Sequence, residues 1–264
     1  MHTPRKRFGQ NFLHDSFIIS SILDCIQANS NDHWVEIGPG MGALTTPLVK
    51  KGLRLDLIEL DRDLVALLTD KFKHVNNLKV HSADALRFNF SSLVEGHEKL
   101  RIIGNLPYNI STPLMFHLLE STNVIEDMHF MLQKEVVDRI CAGPGNKQYG
   151  KLSIMMQYYC ETEWLFDVPP ESFDPKPKVM SAIVRLIPHT QPLVDVDVSK
   201  LNRVVTEAFS QRRKTLRNSL QKVLTEEQII AQNINPTLRA ENLSLNDFAK
   251  LANLLSAFET SIAL

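Results

Sequence analysis

Apolar positions along the chain follow two rhythms, and the change from one to the other divides it. Up to about Pro188, short apolar runs alternate with stretches of helical spacing. Ile18, Ile19, Ile22, Leu23 and Ile26 recur at helical spacing behind Asp15, a residue suited to cap them. Trp34–Ile37 predicts a strand, followed by the glycine-rich turn Gly38-Pro39-Gly40-Met41-Gly42 and a helix to about Lys51. Leu53–Leu60, Leu78–His81 and Leu100–Gly104 read as the next strands, and Ser111 with Pro113 opens a helix through Leu119. Met128–Leu132 is strand-like and Lys134–Cys141 helical. Gly143–Gly150 is a polar loop expected to be mobile. Ser153–Tyr159 is helical, and Glu163–Val168 and Ser181–Ile187 are the last strands.

Past Pro192 only helical spacing remains: about Ser199–Leu224, Glu226–Gln232 and Leu245–Phe258, the last opened by Ser244 and Asp247 as in a capping box. In the first of these the stripe Val205, Phe209, Leu216, Leu220, Val223 runs through Arg212 and Arg213. That requires either a break near Ser210-Gln211 or arginines facing the first domain. Alternation of strands and helices predicts an α/β fold with a parallel sheet, the late strands being candidates for antiparallel placement. The expected division is a domain over 1–190 and an all-helical one over 191–264.

The length of 264 residues suits one large domain with a small one. A net charge of −1 argues against a protein that coats nucleic acid indiscriminately. The charge is unevenly placed. Arg5, Lys6 and Arg7 stand in residues 1–14 with no acid, and Arg212, Arg213, Lys214, Arg217 and Lys222 stand between Ala208 and Thr225, again with none. Such clusters form a solvated face or a phosphate-binding one. The cysteines Cys25, Cys141 and Cys160 are widely separated, which excludes a familiar zinc pattern and fits reduced thiols. No apolar stretch approaches the ~20 residues of a membrane span, and the N-terminus lacks the apolar core of a signal peptide. A cytoplasmic location is expected.

The candidate chemistry collects at strand carboxyl ends, where open α/β sheets bind ligands. Glycines 38, 40 and 42 permit close backbone approach to a nucleotide or nucleoside, or simply make a turn. Their spacing is neither the dinucleotide fingerprint nor a P-loop. Glu59 ends a strand about twenty residues on, where a carboxylate can accept both ribose hydroxyl hydrogens, whereas Asp61 suits a helix cap. Asp84 can accept from an adenine amine or stand as an exposed loop acid. Asn105-Leu106-Pro107-Tyr108 supplies an amide oxygen, backbone carbonyls beside a proline, and an aromatic face. That set suits an exocyclic amine on a nucleobase, or is an ordinary turn with a half-buried tyrosine. Phe173, at the mouth of a proline-rich loop, is either core or a second plate for a base.

Taken together, residues 9–13 (Gly-Gln-Asn-Phe-Leu), 36–45, Glu59, Asp84, 105–111 (Asn-Leu-Pro-Tyr-Asn-Ile-Ser), 173–181 (Phe-x-Pro-x-Pro-Lys-Val-x-Ser), 211–218 and 239–244 resemble the ribosomal RNA adenine dimethyltransferases of the small-subunit type. The resemblance runs in order over nearly the whole chain. It implies a Rossmann-like methyltransferase sheet with helices on both faces and a small helical C-terminal domain. It implies S-adenosylmethionine as cofactor and no metal. Asn11 and Leu13 would close over the cofactor, with Gly38 and Gly40 beneath it. Glu59 would hold its ribose, Asp84 and Ala85 its adenine, and Asn105 would lie between cofactor and substrate. The target adenine would be held by Asn105 and by the carbonyl of Leu106 or Pro107, and stacked by Tyr108 and Phe173. RNA would be gripped by Arg5, Arg7, Arg212, Arg213, Lys214 and Arg217. The implied product is N6,N6-dimethyladenosine at two adjacent adenosines near the 3′ end of small-subunit ribosomal RNA. The partner would be a pre-ribosomal 30S particle, met by a monomer. The competing readings are a large-subunit methylase of the macrolide-resistance type, a DNA adenine methylase, and a non-catalytic RNA-binding assembly factor or transcription-factor derivative of the same fold.

Overall fold

A computed structural model describes residues 10–262 of the chain, with side chains through residue 255. The expected arginines Arg5 and Arg7 lie outside the described residues. In order, the elements are β1 (Phe12–Leu13), α1 (Ser16–Ile26), β2 (His33–Ile37), α2 (Thr45–Lys50), β3 (Arg54–Glu59), α3 (Arg62–Lys71), β4 (Leu78–Ser82), β5 (Leu100–Asn105) and α4 (Ser111–Leu119). There follow β6 (Ile125–Gln133), α5 (Lys134–Cys141), α6 (Lys151–Tyr159), β7 (Cys160–Val168), β8 (Phe173–Asp174), β9 (Ser181–Pro188), α7 (Val198–Phe209), α8 (Leu216–Ser219), α9 (Glu226–Ala231) and α10 (Leu245–Ile262).

Seven strands form one sheet in the order β4-β3-β2-β5-β6-β9-β7. The pairs from β4 through β6 are parallel, and β9 lies antiparallel to β6. Central strands are buried on both faces, which is why β2 and most of β5 read as unbroken runs rather than alternating ones. From β2 the chain winds outward to β3 and β4, then returns to β5 on the other side. The switch point of the sheet is therefore between β2 and β5, and a crevice opens over their carboxyl ends. Helix starts match their capping residues. Asp15 Oδ1 accepts from the Phe17 and Ile18 amides, Asp61 from the Asp63 amide, and Ser244 and Asp247 bond reciprocally at the start of α10.

The chain folds as two compact units: residues 1–137 with 163–188, and residues 138–162 with 189–264. The passage at residue 189 is where the helical pattern takes over. Residues 138–162, by contrast, join the helical unit although they sit amid the strand-helix alternation. Ile154 and Tyr158 of α6 and Tyr149 of the loop before it are buried with Leu201, Val205, Phe248 and Leu251. The polar loop 143–150 is thus pinned: Tyr149 is 2% exposed, and the Gly145 amide donates to the Glu241 carbonyl. The helix expected over 199–224 breaks after Phe209, where Arg212 and Arg213 would otherwise lie on its apolar stripe, and resumes as α8. Strand β7 starts at Cys160, three residues earlier than its polar beginning suggests.

Candidate active site

The strand ends at the switch point carry the site. After β2 the chain turns through Gly38, Gly40 and Gly42, each with positive φ (67°, 56° and 80°). A Cβ on Gly40 would stand 3.0 Å from the Phe12 ring, so that ring lies directly on the glycine turn. Gly104 in β5 is equally constrained, since a Cβ there would meet the Ile37 carbonyl oxygen at 2.6 Å. That close approach draws β2 and β5 together and sets Gly38 beside Asn105.

A cavity of about 330 Å³ opens over these ends, within the range of small-molecule sites. Its wall includes the expected Asn11, Leu13, Gly38, Gly40, Glu59, Asp84, Ala85, Asn105, Leu106, Pro107 and Tyr108. It also includes Glu36 and Phe12, to which the sequence pattern assigned no role. Their signal was positional: Glu36 stands two residues before the glycine turn, and Phe12 between the amide Asn11 and Leu13. At the end of β3, Glu59 accepts from the Asp61 amide (2.9 Å) through one oxygen and from the Gly40 amide (3.3 Å) through the other. Burial raises its carboxyl above the ordinary range, against the lowering effect of those amides. Glu36 is 2% exposed and accepts from Thr45 Oγ1 at 2.6 Å. Burial first, with the Glu59 charge adding, pushes its pKa up to about 7. Asp84 Oδ1 accepts from the Leu86 amide, leaving its second oxygen toward other donors.

Asn105, the last residue of β5, donates from Nδ2 to the Asn11 carbonyl at 2.9 Å, so its side-chain oxygen remains an acceptor. The Pro107 carbonyl accepts from the Ile110 amide. The Leu106 carbonyl has no hydrogen-bond partner among the described residues. Tyr108 is half-buried, and its hydroxyl shares a 2.7 Å hydrogen bond with Ser181 Oγ.

The cavity does not collect every expected residue. Phe173 is 3% exposed and paired with Leu13 in the small β1–β8 ladder. It belongs to the core of the first unit and is not among the residues lining the cavity, as the core reading of this ring expects. Its backbone must follow the ladder, and the ladder turns the ring inward. Arg212, Arg213, Lys214 and Arg217 lie in the second unit. Arg212 donates to the Lys147 carbonyl and stands 3.6 Å from Glu241; Arg217 stands 3.7 Å from Glu226. Arg213 and Lys214 are exposed with no ion-pair partner among the described residues. Among the described residues, no helix is long and apolar enough to cross a membrane.

The profile of the family described as Ribosomal RNA adenine dimethylase matches residues 1–257. The chain belongs to that family. The Ribosomal RNA small subunit methyltransferase A of Pseudomonas aeruginosa is 58% identical over 256 residues, covering 97% of this chain and 96% of that protein. The protein of the same name from Methylococcus capsulatus is 53% identical, covering 97% and 99%. Among solved structures, a dimethyladenosine transferase from Plasmodium falciparum superimposes with a TM-score of 0.78 at 26% identity, covering 95% of this chain and 98% of that one. The 23S rRNA methyltransferase ErmE superimposes with a TM-score of 0.73 at 24% identity, over 93% and 100%, which shows the shared fold. The chain is accordingly an enzyme, an rRNA adenine dimethyltransferase with a Rossmann-like sheet, and membership in a methyltransferase family implies use of S-adenosylmethionine.

The cavity fits that cofactor on its own chemistry. Each Glu59 oxygen already takes one backbone amide and retains a lone pair for a ribose hydroxyl. Gly38, without a Cβ, leaves room over the turn, and Asp84 offers a second carboxylate farther along the same wall.

Proposed function

We propose that the protein methylates N6 of two adjacent adenosines near the 3′ end of small-subunit ribosomal RNA, giving N6,N6-dimethyladenosine in an assembling 30S particle. The observation that carries the reading is the state of Asn105. Its nitrogen is committed to Asn11, and its oxygen is left as an acceptor in the wall that also holds Gly38 and Glu59. The names of the Pseudomonas and Methylococcus relatives support the choice of ribosomal subunit.

S-adenosylmethionine, when bound, supplies a methyl group already activated on a sulfonium. In this reading Glu59 takes its ribose hydroxyls and Asp84, beside Ala85, its adenine amine. Gly38 and Gly40 lie beneath it, with Asn11 and Leu13 above. Adenine N6 is a poor nucleophile because its lone pair is delocalised into the ring. The Asn105 oxygen and the Leu106 carbonyl accept the two N6 hydrogens, favour a pyramidal nitrogen and stabilise the positive charge that develops on it. Leu106 is preferred to Pro107 because its carbonyl serves no other donor among the described residues, whereas the Pro107 carbonyl shares its acceptor capacity with the Ile110 amide. Tyr108 stacks on the base, which must first leave its helix or loop. Arg213 and Lys214 hold RNA phosphates through the second unit, and the enzyme acts as a monomer.

Asn105→Ala is expected to abolish methyl transfer to 30S subunits while weakening S-adenosylmethionine binding much less. Labelled transfer and calorimetric titration measure the two; normal dimethylation by this variant would overturn the reading.

A further inference from the structure

The proline-rich segment 173–181 ends at a serine with no role in the scheme above, and its surroundings assign it one. Strand β9 is antiparallel to β6, so it begins where the parallel strands end. Its first residue therefore arrives at the carboxyl edge of the sheet, beside the cavity. Ser181 faces Gln133 in the ladder, and the Lys134 amide donates to the Met180 carbonyl at 2.9 Å, so the ladder extends past Ser181 on both sides. Ser181 has no exposed surface. It is a fixed point in the sheet, not part of a loop.

Tyr108 is differently placed. It follows β5 in an irregular stretch and would be free to swing about its side-chain torsions. Instead it is fastened at both ends. Its carbonyl accepts from Ser111 Oγ at 3.1 Å, and its hydroxyl is 2.7 Å from Ser181 Oγ. Tyr108 lines the cavity while its phenol is committed to Ser181, so the ring is what it has left to offer a base.

We propose that Ser181 is a positioning residue: by holding the Tyr108 hydroxyl from β9, it sets the angle of the ring against which the target adenine stacks. This rests on the reading of Tyr108 as the base-stacking plate. The two methyl transfers should feel the tether unequally. An unmodified adenine has two N6 hydrogens, one for the Asn105 oxygen and one for the Leu106 carbonyl. After the first transfer only one hydrogen remains, so one of those hydrogen bonds is lost and the base depends more on stacking for its orientation. Loosening the ring should therefore slow the second transfer more than the first.

The test uses the full-length enzyme, S-adenosylmethionine and 30S subunits lacking the modification, with nucleosides quantified by mass spectrometry. Ser181→Ala is expected to lower kcat by about tenfold, the size of one ordinary hydrogen bond lost from the tether that orients the ring. It should let N6-monomethyladenosine accumulate and leave the S-adenosylmethionine Kd unchanged. Tyr108→Phe, which removes the same bond from the other side, should reproduce both effects. The double variant should be no worse than either single one, and Ser181→Thr should restore activity. A Ser181→Ala enzyme with the wild-type rate and product ratio overturns the proposal, as do effects that multiply in the double variant. If Ser181→Ala does not fold, Tyr108→Phe decides between the same two outcomes. Tyr108→Ala separates the two levels. If it is crippled while Ser181→Ala is normal, only the tether fails; if it is itself normal, the stacking role of Tyr108 fails.

Discussion

At the scale of single residues, the site depends on atoms that are absent as much as on those present. Gly104 is the clearest case, because the nearest obstacle to a Cβ is a backbone oxygen that cannot rotate away. Gly104→Ala must push β5 from β2. The cost expected for overpacking of this kind is about 1–3 kcal/mol, read as a lower melting temperature. The variant should also lose methyl transfer out of proportion to its stability, since Gly38 and Asn105 ride on the two strands that separate. Local rules placed the acids at strand ends and the glycines of the turn in the cavity wall, and the caps before their helices. They could not see Arg101, which sits in an apolar run yet is 8% exposed. Arg101 is held by Asp127, Asp32 and the Ile26 carbonyl and lies over the Trp34 ring. Its partners are 26 to 75 positions away, and no local period encodes them.

At the scale of elements, the segment between α7 and α8 shows how an acid-free stretch of sequence can acquire acids in space. Arg212 and Arg217 are each near a glutamate supplied by a later segment, whereas Arg213 and Lys214 are not. These last two should grip the RNA. Replacing both with alanine should weaken binding to small-subunit RNA and flatten the salt dependence by roughly 0.7–0.9 log unit for each phosphate no longer neutralised. Filter binding across a salt series measures it, and Arg212→Ala should change the slope less. Elements themselves were largely legible, because buried parallel strands must be apolar throughout and amphipathic helices must repeat near every fourth residue. Which core an element joins was not. The α6 stripe signals burial but not its destination, and Phe173 reads first as core and second as a stacking plate until β1 claims its backbone.

For the molecule as a whole, two buried groups in the first unit give stability opposing dependences on pH. Burial pushes the His129 pKa down to about 4 from an ordinary 6.5, with the Arg101 and Arg185 charges reinforcing it and Asp127 opposing. Between those values the unfolded chain takes up a proton that the folded one refuses, so this contribution is lost as pH falls from 6.5 toward 4. Glu36 runs the other way. From 4.5 to about 7 the folded chain keeps a proton that the unfolded chain releases, so its contribution is full below 4.5 and lost as pH rises through 7. The two slopes offset each other across much of the interval. Each variant should expose the other group: Glu36→Gln should gain stability over wild type progressively as pH rises from 4.5 to 7. His129→Gln should gain it progressively as pH falls from 6.5 to 4. Denaturation midpoints across that range measure both difference curves.

The place of β9 also bears on how the polypeptide is made. The outer side of β6 is covered by a strand that leaves the ribosome some fifty residues later, after the chain has departed at residue 138 to start the helical unit and come back at residue 163. Until residue 181 and its successors emerge, a nascent chain carries a strand with an open edge, and such edges invite pairing with other chains. Completing the methyltransferase sheet is therefore a late event in synthesis. Truncations ending between β6 and β9 should be sticky fragments rather than small working enzymes.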